Sequence, residues 1–250
     1  MKALKFTLSG KTAFFKKPEV NAFYYFTYGQ IHKVVLLGIF GALLGYKGHI
    51  QKKWVKPKKG QSPIEEYPEF YEKLNQLSVS IVPRNNKGYI SKKVQCFNNS
   101  TGFASEEKGG NLIVKEQWLE NPIWDIYVLL DCEEAEKITD SVMNKKCVYI
   151  PYFGKNDHIA DISDAQIVDI SAVHCNDMTL SCLFPKAAAT IGLLDEDEEA
   201  KAFKYEESLP VRLNGYTNLY ECEKFCFTNL PVEIKETVVY EVDDRRLIFY

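Results

Sequence analysis

The sequence lacks the features that identify a membrane protein or a secreted protein. Its longest apolar run, residues 34–44, is far shorter than the roughly 20 residues that a helix needs to cross a bilayer. The residues after Met1 alternate between apolar and basic types and do not form a signal peptide. These absences predict a protein that has no membrane partner.

Cysteine provides neither a disulfide framework nor a zinc site. The seven cysteines are scattered and odd in number, which favours reduced thiols in a cytoplasm. Cys222 and Cys226 are spaced four apart, so on a strand they would stand about 13 Å apart at roughly 3.3 Å per residue. Two such thiols do not meet at one tetrahedral zinc ion. We therefore expect no metal and no cofactor.

Familiar catalytic motifs are also missing. The chain contains no Walker loop, no HExxH segment and no dinucleotide fingerprint. None of its four histidines has the local spacing of a nucleophile and its base. One enzymatic alternative stays open, because a metal-independent ribonuclease can assemble Tyr, Lys and His from distant parts of a chain.

Charge is distributed unevenly along the chain. Residues 1–60 hold 12 lysines and one acidic residue, a net charge of +11, whereas the remainder carries −14, and the two add to the total of −3. A basic first quarter predicts a polyanionic partner, nucleic acid being the commonest. The acidic remainder is expected to face water or another subunit. The alternative is that these lysines are ordinary solvated surface residues.

A helix is predicted within residues 21–49. Thr27 and Gln30 have the spacing of a capping box, which places the start near Tyr28. Gly48 is the expected end, because glycine accepts the left-handed conformation there. Three further glycines fall three and four apart on one stripe of this helix, at positions 38, 41 and 45. The stripe indicates either tight packing or the close approach of a ligand.

Alternating apolar residues predict the strands of the first two thirds of the chain. Leu4, Phe6 and Leu8 alternate with polar residues in the first strand. Three further strands are expected at residues 77–82, 123–130 and 147–150. Residues 131–144 read as a helix between the last two strands, with acidic residues at its start and lysines following its end.

In order, these elements are strand, helix, strand, insertion, strand, helix, strand. This is the order of a split βαβ, ferredoxin-like fold, which RNA-recognition domains share. We predict an α+β fold class with a ferredoxin-like domain at residues 1–160 and a smaller, mostly β portion at residues 161–250. Fold class alone does not define a function.

Residues 84–121 form the insertion and are rich in turn residues. Residues 94–96 and 112–114 look like the two arms of a long β-hairpin. Lysines decorate these arms, and a projecting basic hairpin is a common grip for nucleic acid. A surface insertion without any partner is the alternative.

Two other segments mix the residue types that bind nucleic acid. Residues 11–28 interleave lysines with aromatic residues, which can hold phosphates and stack bases, although many of these rings are expected in the core. Residues 151–161 form a glycine-containing polar loop. The candidate RNA-binding residues are Lys16, Lys17, Asn21, Tyr28, Lys33, Lys47, Lys52, Lys53, Lys92, Lys93, Phe97, Lys155 and His158.

Several of these stretches carry a resemblance to a known family. Residues 4–18, Asn21, residues 27–28 and the glycine-striped residues 37–46 resemble the Cas-five family of CRISPR-associated RAMP proteins, and more narrowly its type I-B form. Residues 99–105, 115–119 and 152–158 support the resemblance. The sequence departs from the family at His32, where a proline is frequent.

The resemblance implies a non-catalytic subunit of the Cascade antiviral complex that caps the 5′ handle of the CRISPR RNA. It implies a ferredoxin-like domain with a β-hairpin thumb, at the place of residues 84–121. Expected partners are the CRISPR RNA, the Cas-seven backbone subunit and the large subunit, with target DNA engaged indirectly, in the cytoplasm.

The resemblance also bears on catalysis. In most type I systems a separate Cas-six enzyme cuts the precursor RNA, whereas in the I-C subtype the Cas-five protein cuts it. The type I-B resemblance therefore implies binding without catalysis. The alternative is a metal-independent endoribonuclease that processes precursor CRISPR RNA.

Overall fold

The computed structural model describes residues 1–19, 24–54, 64–98, 106, 113–174, 177–192 and 202–250. Within these residues the chain is mostly β. The helices are α1 (Lys33–Leu44), α2 (Glu69–Leu74) and α3 (Glu133–Met143). The strands are β1 (Lys2–Ser9), β2 (Thr12–Ala13), β3 (Tyr24–Tyr25), β4 (Val79–Pro83), β5 (Lys92–Asn98), β6 (Ile113–Glu120), β7 (Ile123–Leu129), β8 (Asp161–Asp169), β9 (Ser171–Val173), β10 (Asp177–Met178), β11 (Phe184–Pro185), β12 (Ala189–Ile191), β13 (Lys204–Leu213), β14 (Tyr220–Thr228), β15 (Val232–Ile234), β16 (Val239–Val242) and β17 (Arg245–Ile248).

The central sheet has the strand order β4-β7-β1-β8, and every neighbouring pair is antiparallel. Because side chains alternate along a strand, β1 serves two cores at once. Leu4, Phe6 and Leu8 lie in one core together with α1 and α3. Ala3, on the opposite face, lies in a second core with Tyr127 and the C-terminal strands. The sheet is therefore covered on both faces, which explains why β7 is apolar along nearly its whole length.

The predicted closing strand at residues 147–150 is wrong. These residues are exposed and not in a strand. The backbone N–H groups of Val148 and Tyr149 donate instead to the carbonyls of Leu43 and Ala42, at 3.0 Å each. They thereby satisfy carbonyl groups that the end of α1 leaves unpaired. The strand that closes the sheet is β8, so the predicted boundary at residue 160 falls just before a strand that pairs with β1.

The predicted bounds of α1 are corrected as well. The helix begins at Lys33, because the Nδ1 atom of His32 accepts a hydrogen bond from the Val35 N–H at 3.4 Å and caps it. It ends at Gly45, whose φ of 78° is left-handed. Thr27 and Gln30 do not form the capping box, since their side chains serve tertiary contacts.

The side chains of Thr27 and Gln30 are both buried. The Thr27 hydroxyl accepts a hydrogen bond from the Phe15 N–H at 2.9 Å. The Gln30 side-chain oxygen accepts one from the Trp124 indole at 2.7 Å. Satisfying a buried polar group outweighs a local capping pattern, because an unpaired one costs about 1–3 kcal/mol.

The glycines of α1 do not share one role. A Cβ on Gly41 would lie 2.6 Å from the Cβ of Phe70, so this glycine lets α2 approach α1 closely. A Cβ on Gly38 would meet nothing within 4 Å. Gly45 caps the helix. The packing interpretation therefore holds for Gly41, and also for Gly45, where a Cβ would lie 3.0 Å from the Val148 side chain, but not for Gly38.

The predicted hairpin is confirmed. Strands β5 and β6 pair antiparallel, with Phe97 opposite Val114 and Cys96 opposite Lys115. Strand β6 also pairs with β2 and, in parallel, with β3, so the hairpin belongs to a four-stranded sheet with the first part of the chain. The expected tip lies largely outside the described residues.

The C-terminal portion is mostly β, as predicted. It forms three antiparallel sheets with the orders β10-β15-β12, β11-β14-β13 and β17-β16-β9. Strands β13 and β14 form a long antiparallel pair within this portion. Among the helices of the described residues, none is long and apolar enough to span a bilayer.

Candidate nucleic-acid interface

The lysine-rich and aromatic segment near the N-terminus is held between two other parts of the chain. The Phe14 N–H donates to the Phe153 carbonyl at 3.1 Å, which ties the segment to the polar loop at residues 151–158. On its other side, Tyr24 and Tyr25 pair with Lys115 and the next residue of β6. Three regions that are distant in sequence therefore meet at one surface.

A glycine permits this close contact. Gly154 has a φ of 83°, and a Cβ placed on it would lie 1.9 Å from the Phe14 carbonyl oxygen. Glycine is the residue that tolerates both conditions, because it has no Cβ. The loop can therefore lie directly on the N-terminal segment.

These contacts form a cleft of about 370 Å³, which we call the Lys16 cleft. It is lined by Phe14, Phe15, Lys16, Tyr25, His32, Val35, Glu116, Gly154, Lys155 and Tyr220. Lys16 is exposed, and its ammonium lies 4.1 Å from the centre of the Tyr25 ring. A cation beside an aromatic face is the arrangement that holds a phosphate and stacks the adjoining base.

Lys155 reaches the same cleft but is already paired. Its ammonium lies 3.1 and 3.2 Å from the two carboxylate oxygens of Glu116, a residue that is 5% exposed. The Trp118 indole also donates to Glu116, at 2.8 Å. The Phe97 ring centre lies 5.4 Å from the ammonium. Lys155 therefore attaches the hairpin to the loop, and Glu116 neutralises part of its charge.

His32 forms an uncharged wall of the cleft. It is 2% exposed, and its ring packs edge-on against Phe15, Tyr28 and Tyr220. Burial lowers the pKa of His32 to about 3, because no nearby group stabilises the charged ring. The imidazole is therefore neutral at physiological pH.

His158, predicted to contact RNA, is 1% exposed. Its Nδ1 atom lies 2.6 Å from the Thr12 hydroxyl, and its ring centre lies 4.5 Å from that of Trp118. Burial is the main cause that lowers the pKa of His158. The ring supports the loop that carries Lys155 and is covered by protein.

Two other predicted residues, Lys17 and Lys92, lie near one acid, Glu207, and a third, Tyr28, lies beside Lys17. Lys17 forms an ion pair with Glu207 at 2.7 Å and lies 4.9 Å from the centre of the Tyr28 ring. Tyr28 is 2% exposed. Lys92 lies close to the same acid, and burial lowers its pKa. Acidic residues of the C-terminal portion thus neutralise part of the basic first quarter.

The remaining predicted residues lie elsewhere. Lys93 is 3.6 Å from Glu120. Lys52 is paired with Glu66 at 3.8 Å and donates to a backbone carbonyl. Lys93 and Lys52 are half-buried, whereas Lys47 and Lys53 are exposed. Lys33 is half-buried and lines a different cleft. Asn21 lies outside the described residues.

The structure therefore brings Lys16 and Lys155 together, with Phe97 beside Lys155. Tyr25, Glu116 and Tyr220 are cleft residues that the sequence did not single out. The alternation of lysines and aromatics pointed to the segment containing Tyr25 but not to the residue. Nothing in the sequence links Tyr220 to a segment nearly 200 positions earlier. Among the described residues, no group of His, Cys, Asp or Glu is arranged to hold a metal ion.

Comparison with known proteins relates this chain to others by fold. No protein-family model matches the sequence, and neither does any curated protein. Solved structures similar to it include the following two. One is described as a CRISPR RNA-guided surveillance complex, with 11% identity, a TM-score of 0.53, and coverage of 93% of this chain and 90% of the other.

The second is a CRISPR protein from Archaeoglobus fulgidus. It is 13% identical, with a TM-score of 0.53, and the match covers 99% of this chain and 98% of the other. At such identities the similarity shows a shared fold. Because nearly the whole of each chain is covered, the shared fold includes both the central sheet and the C-terminal strands.

Proposed function

We propose that this chain is a Cas-five-like subunit of a type I-B, Cascade-like CRISPR complex, and that it binds the 5′ handle of the CRISPR RNA. The observation that carries the proposal is the whole-chain fold similarity to proteins described as CRISPR components. The antiparallel order β4-β7-β1-β8 also agrees with a ferredoxin-like RAMP domain, with β5 and β6 as its thumb.

The Lys16 cleft is the RNA contact in this proposal. Lys16 is exposed, lies over Tyr25, and has no carboxylate within 4.0 Å among the described residues. Its charge is therefore free to bind a phosphate, while the Tyr25 ring offers a face to a base. Lys155 contributes from the opposite wall, although Glu116 already holds its charge in part.

The first experiment measures binding of a CRISPR-repeat RNA as a function of salt. For a single-stranded nucleic acid, the logarithm of the binding constant falls linearly with the logarithm of the salt concentration. The slope is roughly −0.7 for each phosphate that the protein neutralises. Lys16→Ala should lower the affinity and reduce this slope by about 0.7. Lys235→Ala, an exposed lysine that follows β15, is the matched control and should change neither. An unchanged slope in Lys16→Ala removes the Lys16 cleft from the RNA path.

Binding without catalysis is the second part of the proposal. The histidine that lines the cleft, His32, is buried and has a pKa far below neutrality, so it is a poor proton acceptor or donor at pH 7. His158 is buried between Thr12 and Trp118.

The test incubates the purified chain with repeat RNA in EDTA, and we expect no cleavage. Defined products that disappear in a His158→Ala or His49→Ala variant would establish the alternative, a metal-independent endoribonuclease. The paired variants matter because a contaminating nuclease would cleave equally in both preparations.

The proposed protein partners are the Cas-seven backbone subunit and the large subunit. Part of the exposed surface suits protein contacts, since Val148, Tyr149 and Ile150 are between 52% and 66% exposed in one continuous stretch. Co-expression of the three proteins with CRISPR RNA should yield a complex that contains this chain. Its absence from such a complex would contradict the assignment.

A further inference from the structure

A second cleft, of about 490 Å³, lies where the end of α2 meets β13 and β14, and we call it the Lys33 cleft. Much of its lining is aromatic, with Tyr67, Tyr71, Phe225 and Tyr250. Tyr67 and Tyr71 have ring centres 5.0 Å apart, and those of Phe225 and Tyr250 are 4.8 Å apart. The volume falls within the range of clefts that bind small organic groups.

The charges that line this cleft are not all balanced. Arg212 is paired with Glu221 and lies 3.7 Å from Glu223, so its charge is met by carboxylates. Lys33 has no such partner among the residues that the structure describes. It is half-buried as the first residue of α1, and within the described part of the chain no carboxylate oxygen lies within 4.0 Å of its ammonium.

An unpaired, partly desolvated ammonium weakens the fold. Burial lowers the pKa of Lys33, and no neighbouring charge opposes this shift. An apolar side chain of similar length would avoid the desolvation cost at this position. A charge that costs stability but is kept in a cleft is typical of a binding site, because the ligand supplies the missing partner.

We propose that the Lys33 cleft binds one nucleotide of a single-stranded RNA, with a phosphate oxygen accepting a hydrogen bond from the Lys33 ammonium and the base packing against Tyr67 and Tyr250. Tyr67 and Tyr250 both line the cleft, and each residue is half-buried. A carboxylate from a protein would satisfy the charge but would leave the aromatic walls unused, whereas a nucleotide uses both. This inference rests on the proposed function and extends the RNA contact beyond the Lys16 cleft.

The test is Lys33→Met, which keeps most of the side-chain length and removes the charge. We expect its Tm to rise and its affinity for repeat RNA to fall severalfold, with a salt slope smaller by about 0.7. These opposite changes separate a binding role from a structural role, because a structural lysine would lose stability and affinity together. Lys235→Met is the matched control and should alter neither quantity.

A second readout locates the RNA. Repeat RNA that carries 4-thiouridine is photo-crosslinked to the wild-type chain, and crosslinked peptides are identified by mass spectrometry. Peptides that contain Tyr67 or Tyr250 should be crosslinked in the wild type and lost in Lys33→Met. Crosslinks that appear only in other peptides would overturn the proposal.

The remaining outcomes also decide it. A Lys33→Met variant with wild-type affinity and slope excludes a phosphate at this cleft. A lower Tm shows that Lys33 stabilises the fold and contradicts the premise. If the variant binds RNA normally but assembles poorly with other subunits, the occupant is a protein carboxylate and the RNA assignment is wrong. If the wild type itself binds no repeat RNA, the proposed function fails first, and the inference fails with it.

Discussion

His32 should make the stability of this protein depend on pH in a range where most carboxylates remain ionised. The pKa of its buried ring is about 3 in the folded state, against about 6.5 in an unfolded chain. Above pH 6.5 the ring is neutral in both states, and its contribution to stability is fully present. As the pH falls below 6.5, His32 becomes protonated in the unfolded chain but stays neutral in the folded protein, so stability is lost.

The size of this loss follows from the two pKa values. At pH 5 the unfolded ring is protonated and the folded ring is not, which costs about 2 kcal/mol relative to neutral pH. The geometry agrees with the sign, because the Nδ1 atom of His32 accepts the Val35 N–H and would lose this role on protonation. His158 contributes in the same direction, since burial lowers its pKa too.

Urea denaturation at about pH 7.5 and pH 5 tests the prediction. The comparison variant is His32→Asn, since its side-chain oxygen can still cap α1 but does not titrate. This variant loses ring contacts at every pH, so its free energy of unfolding is lower throughout. The informative quantity is therefore the change in the free energy of unfolding between pH 7.5 and pH 5. That difference should be smaller than in the wild type by about 2 kcal/mol. An equal difference in both proteins would refute the assignment of a neutral, buried His32.

Other predictions concern the glycines and the ion pair of the Lys16 cleft. Gly38→Ala should raise the free energy of unfolding by about 1 kcal/mol, because its Cβ would meet nothing within 4 Å and alanine favours a helix. Gly154→Ala should lower the free energy of unfolding by more than about 1–2 kcal/mol and weaken RNA binding, because Gly154 has a positive φ and its Cβ would lie 1.9 Å from the Phe14 carbonyl oxygen. A wild-type Tm in this variant would contradict this account of the loop. Lys155→Met should lower the free energy of unfolding by about 2–3 kcal/mol, because it leaves the Glu116 carboxylate buried without its cation. This loss lies between those measured for exposed and for buried salt bridges. Adding Glu116→Gln should recover most of that stability, and a double variant no more stable than Lys155→Met would show that the pair is not the cause.

Part of the fold could be predicted from the sequence because it depends on local periodicity. The alternation of Leu4, Phe6 and Leu8 predicted β1 and the apolar face that packs in the core with α1, but not that the opposite face is buried as well. Turn residues marked the hairpin of β5 and β6. The prediction of a strand at residues 147–150 was wrong, because so short an apolar stretch has no periodicity that distinguishes a strand from an exposed connection.

The candidate site was decided by the tertiary structure. The Lys16 cleft combines Tyr25, Glu116, Lys155 and Tyr220, which belong to four separate segments of the chain. Local sequence sets the conformation of each segment, but the pairing of strands determines which segments meet. The basic composition of the first quarter indicated a polyanion partner, yet it did not show which lysines are free. Only the tertiary structure could show that Lys17 is paired with Glu207, whereas Lys16 has no carboxylate within 4.0 Å among the described residues, because a contact that spans 190 positions leaves no local pattern.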